Sequence, residues 1–95
     1  MKEIKQIQNF TDLLSTPQIT EEIEIRSSFG ICALHGGGLE RATEAVARDV
    51  AKSTDSSYYA VLQPEGSRLH LSSKYFDPKQ SLKLDQFLKN IDSVI

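Results

Sequence analysis

Apolar positions along this 95-residue chain change their spacing from segment to segment, and the changes mark the elements. Asn9 to Leu14 reads as a short helix with Asn9 as N-cap, since a side-chain oxygen there can take up an unpaired N–H of the first turn. Pro17 closes it. From Thr20 to Arg26 the residues alternate, Ile23 and Ile25 on one face, Glu22, Glu24 and Arg26 on the other. That is the pattern of a half-exposed strand near a sheet edge. Phe29 to Leu34 is apolar on both faces, as a strand buried between two layers is. It runs directly into His35-Gly36-Gly37-Gly38. A helix is predicted from about Leu39 to Lys52. Leu39, Ala42, Ala45, Val46, Ala47 and Val50 form its apolar side, and Arg41, Glu44, Arg48 and Asp49 point toward water.

After a turn at 53–57, Tyr58 to Leu62 reads as another apolar strand, Pro64 to Ser67 as a loop, and Leu69 to Leu71 as a short strand. Asp77 looks like a helix N-cap, with Pro78 at N1 and Gln80 at N3 in a variant of the capping box. Leu84, Phe87, Leu88 and Ile91 then recur at helical spacing. Ser93-Val94-Ile95 reads as the opening of a further apolar strand. Helices alternating with apolar strands predict an α/β fold, a mixed, mostly parallel sheet with helices on both faces. A chain that stops just inside a buried strand reads as a truncated, single partial domain over residues 1–95. An unfinished sheet leaves an open edge, which favours self-association.

Composition narrows the classes. The formal net charge is −2 and the lysines and arginines are scattered, so no nucleic-acid partner is expected. The single cysteine, Cys32, rules out an internal disulfide and fits a reducing, cytoplasmic setting. Met1 to Gln6 has no apolar core of a secretory signal, and the apolar run near Phe29 to Leu34 is too short to span a bilayer. No membrane partner is expected.

The segment with chemistry in it is Leu34-His35-Gly36-Gly37-Gly38-Leu39-Glu40. It lies where a buried strand hands over to a helix, and open α/β sheets bind ligands at the carboxyl ends of strands. The glycines allow a sharp turn and close approach of a ligand to the backbone. His35 would project from the strand end and Glu40 from the first helical turn, a pair suited to one zinc ion. Catalytic zinc commonly takes His, His and Glu and keeps a fourth position for water. Read without a metal, His35 simply ends a strand at a tight turn and Glu40 favours the positive end of a helix. Cys32 has the parity opposite to His35 along the strand and is expected on the other side of the sheet, in the core.

The motif resembles the His-Gly-Gly-Gly-Ile-Glu of the poly-γ-glutamate hydrolase family, known from bacteriophages and bacterial genomes. Leu69-His70-Leu71-Ser72-Ser73 is similar to that family's Leu-His-Ile-Thr-Ser segment, and Phe76-Asp77-Pro78 to its Phe-Asp-x-Pro. The resemblance covers nearly all of the chain but only the N-terminal half of a family domain. It implies a zinc-carboxypeptidase-like sheet, a Zn2+ cofactor held first by His35 and Glu40, and hydrolysis of γ-glutamyl amide bonds in poly-γ-glutamate or γ-glutamyl peptides. The family's third ligand, a His in Ile-His-Gly, would fall beyond Ile95. His70 reads as a residue beside the site that holds a ligand or contacts substrate, with a third zinc ligand as the alternative. The backbone N–H groups of Gly36, Gly37 and Gly38 are placed to orient a water or substrate oxygen, and the resemblance gives Asp77 a substrate-side role. Family members often carry Arg where this chain has Tyr75, which cannot pair with a substrate carboxylate as a guanidinium does.

Rival readings start from the same residues. His-Gly-Gly-Gly also forms the oxyanion hole of some esterases, but the Gly-x-Ser-x-Gly elbow is missing. A glycine turn before a helix can cradle phosphate, but no Lys-Ser/Thr follows, and Glu40 would repel an anion. The remaining alternative is a non-catalytic remnant or assembly fragment with no metal bound.

Overall fold

The computed structural model describes residues 5–7, 9–37, 41–64, 69–71, 73–91 and 93–94, and for His70 the backbone alone. Helix α1 (Phe10–Ser15) is capped as its sequence demands, with Asn9 Oδ1 accepting from Asp12 N at 2.9 Å. It ends before Pro17, which pushes the residue ahead of it, Thr16, into an extended conformation. Strands β2 (Thr20–Glu24), β3 (Phe29–Gly37), β4 (Ser57–Gln63) and β6 (Ser93–Val94) form a sheet in the order β2-β4-β3-β6. β2 runs antiparallel to β4, while the β3–β4 and β3–β6 pairings are parallel, so the sheet is mixed. β2 takes the edge position that its alternation predicts. A separate parallel pair joins β1 (Lys5–Gln6) to β5 (Leu69–His70).

Helices cover both faces. β4 is central and buried, and its side chains alternate between two cores. Tyr59 and Val61 join Phe10 and Leu13 of α1, Leu71, and Leu84 and Phe87 of α3 (Leu82–Asn90) on one face. Tyr58 and Ala60 join Ile31 and Ala33 of β3 and Ala47 and Ala51 of α2 (Arg41–Ser53) on the other. The small α/β architecture therefore follows the sequence pattern.

The buried side of α2 departs from its prediction. Ala47 and Ala51 face the sheet, whereas Val46 and Val50 are 60% and 42% exposed. Alanines of the helix meet alanines of the sheet, and Tyr58 supplies the bulk between them. Glu44 and Arg48 flank this seam, paired to each other at 2.9 Å, and Arg48 reaches Glu22 of β2 at 3.0 Å. Glu44 is thus committed to an ion pair.

The Asp77-Pro78 signal also resolves differently. Asp77 caps only a 3₁₀ turn, Pro78–Gln80, accepting from Lys79 N at 2.9 Å. The chain then extends at Ser81, whose hydroxyl accepts from Leu84 N at 3.1 Å and starts α3 afresh. Gln80 N donates to the Asp77 carbonyl at 2.9 Å, but its side chain turns to α1 instead of completing a capping box. Its Oε1 accepts from Thr11 N at 2.7 Å and from the Thr11 hydroxyl at 2.9 Å, satisfying an otherwise unpaired first-turn donor of α1.

Candidate functional site

The glycine-rich segment continues β3 past its predicted end. Backbone pairing with β4 extends through Gly36 and Gly37, opposite Leu62 and Gln63. Between Ala33 and Gly36 the register slips: Ala33 pairs with Ala60 and Gly36 with Leu62, three steps along β3 against two along β4. Leu34 and His35 together oppose Val61, which is a β-bulge. The extra residue re-aims His35.

Without the bulge His35 shares the parity of Ile31 and Ala33 and faces α2. With it, His35 reaches the opposite face. Its Nε2 lies 2.8 Å from the carbonyl oxygen of Leu71. Its ring meets Phe76 edge-on, with centroids 5.8 Å apart and planes at 85°. Phe76 in turn packs on Phe10 at 4.8 Å. Cys32 packs on this same core. The expectation that Cys32 and His35 lie on opposite sides of the sheet is therefore corrected, because strict alternation fails at a bulge. Burial pushes the Cys32 thiol pKa up, as an inert core cysteine requires.

The hydrogen bond to Leu71 decides the imidazole's tautomer. A carbonyl only accepts, so Nε2 carries the proton and the lone pair of the neutral ring is at Nδ1. Metal-bound histidines take this form, one nitrogen on the metal and the other donating to a carbonyl or carboxylate. His35 thus fits a ligand's role chemically. Among the described residues, no three His, Cys, Asp or Glu side chains gather where a metal ion could be held. Glu40 and Gly38 lie outside the described residues, as does the side chain of His70. The His70 backbone sits in β5, paired with Gln6.

Beside Phe76 the surface opens into a hollow of about 300 Å³ bordered by Asn9, Lys74, Tyr75, Asp77 and Gln80. Asp77, expected near substrate, is at this rim with its carboxylate accepting from Lys79 N. Lys74 lies over the Tyr75 ring at 5.1 Å. Leu71 and Phe76 were not marked by any chemical signal in the sequence. One acts through its backbone and the other as a hydrocarbon wall.

Three segments of distinctive sequence thus meet: the His-Gly-Gly strand end, Leu69 to Leu71, and the Phe76-Asp77 turn. The sequence profile of the family described as poly-gamma-glutamate hydrolase matches residues 2–95. The chain belongs to that family. Among curated proteins, it is 32% identical over 82 residues to the UPF0714 protein YndL of Bacillus subtilis (strain 168). That match covers 81% of this chain and 32% of YndL. The SPbeta prophage-derived UPF0714 protein YoqZ of the same organism is 42% identical over 55 residues, covering 57% of this chain and 20% of YoqZ. The chain therefore spans at most about a third of the length of these relatives. No solved structure matches it. No helix among the described residues is long and apolar enough to cross a membrane.

Proposed function

We propose that this member of the poly-γ-glutamate hydrolase family contributes to zinc-dependent cleavage of γ-glutamyl amide bonds, with His35 and Glu40 as metal ligands. The observation that supports it most is the meeting at His35 of the three family-like segments, through the Leu71 carbonyl and the Phe76 ring. A zinc ion, when bound, would activate water for attack on the amide carbonyl and stabilise the charge that develops there. The chain's own contributions are more specific. Leu71 holds the His35 ring with Nδ1 as the lone-pair nitrogen. Phe76 walls one side of the imidazole. The fold proposed for the whole domain is zinc-carboxypeptidase-like, and its substrate is a γ-linked glutamyl polymer or peptide.

The test is release of new amino groups from γ-linked polyglutamate, measured with added zinc, after chelation, and with His35→Ala. Hydrolysis that needs zinc and is abolished by the substitution supports the reading. Hydrolysis indifferent to both contradicts it. Absence of both zinc binding and hydrolysis would favour the non-catalytic alternative for this chain.

A further inference from the structure

β5 and the residue after it carry the partner of His35, and one side chain of the sheet ties them in place. Gln63, the last residue of β4, is 6% exposed and stands opposite Gly37 in the β3–β4 register. Its Nε2 donates to the Leu69 carbonyl at 2.6 Å, and its Oε1 accepts from Leu69 N at 3.2 Å. The side-chain amide thus grips the backbone of Leu69 at both of its polar groups, as a neighbouring strand would. In an extended segment the polar groups of residues i and i+2 face the same edge. Leu69 and Leu71 are so related, and the edge whose first position Gln63 occupies presents its second, the Leu71 carbonyl, to His35 Nε2 at 2.8 Å. Two side chains from neighbouring strands therefore form a short ladder along β5.

We infer that Gln63 is a positioning residue for His35: its two-point hold on Leu69 places the Leu71 carbonyl that fixes the imidazole's orientation and tautomer. The inference rests on the reading of His35 as a metal ligand for its consequence, but not for its geometry. A single hydrogen bond would let the Leu69 peptide swivel. Two bonds of opposite sense fix its rotation as well as its distance. Oriented partners of this kind commonly change metal affinity by about 10- to 100-fold when removed.

The experiment is long-range proton–nitrogen correlation of the His35 imidazole in Gln63→Ala and Gln63→Glu, with zinc affinity measured alongside. Gln63→Glu keeps size and shape but loses the donor to Leu69, so it carries the test if the alanine variant does not fold. In the unsubstituted protein His35 is expected as the Nε2-protonated tautomer. In both variants that signature is expected to give way to mixed tautomers, and zinc affinity to fall by about tenfold or more. Arg48→Ala, which breaks ion pairs on the other face of the sheet, is the control for a general loss of stability and should leave the His35 signature unchanged. Folded Gln63 variants that keep the Nε2-protonated signature would overturn the inference. Failure of the unsubstituted protein to bind zinc would count against the metal reading and leave the tautomer readout to decide the role of Gln63.

Discussion

Gly30 has no room for a side chain. A Cβ there would come within 2.7 Å of Phe87 Cζ and 2.9 Å of Ile91 Cγ2, so the glycine lets α3 and the residue after it close onto β3. Gly30→Ala is expected to cost about 1–3 kcal/mol by overpacking, read as a lower urea midpoint. Tyr58 offers a pH test. Its hydroxyl is pushed up to about 12, first by burial and then by the nearby Glu22 carboxylate, with which it also shares a 3.3 Å hydrogen bond. Tyr59 is shifted in the same direction by burial and by its bond to Glu21. A raised phenol pKa means that the fold favours the neutral form. The stability this confers is full below the ordinary value of about 10 and is lost as pH rises through about 12. Chemical denaturation followed upward from neutral pH should show that loss, and Tyr58→Phe should make it shallower. A profile unchanged by Tyr58→Phe would show that other groups govern the alkaline limb. At this scale His35 was legible as a candidate because histidine beside three glycines is unusual chemistry. Its partner was not, since a backbone carbonyl leaves no mark in a sequence.

Among the elements, those fixed by local rules were the readable ones. Asn9 and Pro17 delimit α1 through groups within the same turn, and the alternation of β2 exposes one face at the sheet edge. Errors arose where a distant contact decided the outcome. Asp77-Pro78 carries the local marks of a helix start, but Ser81 interrupts it. The Ser81 hydroxyl bonds to Glu21, which also takes the Tyr59 hydroxyl at 2.5 Å. That carboxylate ties β2, β4 and the start of α3 together, and nothing local to residues 77–81 announces it. Ser81→Ala is expected to destabilise the chain by about 1 kcal/mol from the lost cap alone, and by more because Glu21 loses a donor. The same Ser81→Ala change at an unlinked cap would stop at the first figure, so a deficit no larger than the cap alone would argue against the link. The face of α2 was misjudged for a related reason. Valines outrank alanines in apolarity, yet the small surface of Ala33 and Ala60 selects Ala47 and Ala51 as the residues that meet it. The bulge at Leu34 and His35 was invisible to a period-two reading, and it is the feature that moves His35 to the α1–α3 face.

At the scale of the molecule, the two cores divide the labour. The α2 face packs alanines against the sheet and adds the Arg48 ion pairs at its rim. The α1–α3 face holds Phe10, Tyr59, Phe76 and Phe87, the Leu71 segment and the end of β3, and the candidate site grows out of this core. Its three segments are far apart in sequence and meet only because β3, β5 and the turn before α3 converge at the carboxyl end of the sheet. The chain spans at most about a third of the length of the Bacillus relatives. The metal site we propose begins with His35 and Glu40. Zinc titration against a competing chromophoric chelator tests it most directly, on the 95-residue chain and on His35→Ala and Glu40→Ala. Binding of one zinc per chain, weakened at least tenfold by either substitution, is the expected result. Binding that is absent, or that both substitutions leave unchanged, would contradict the claim and leave the glycine-rich strand end as architecture.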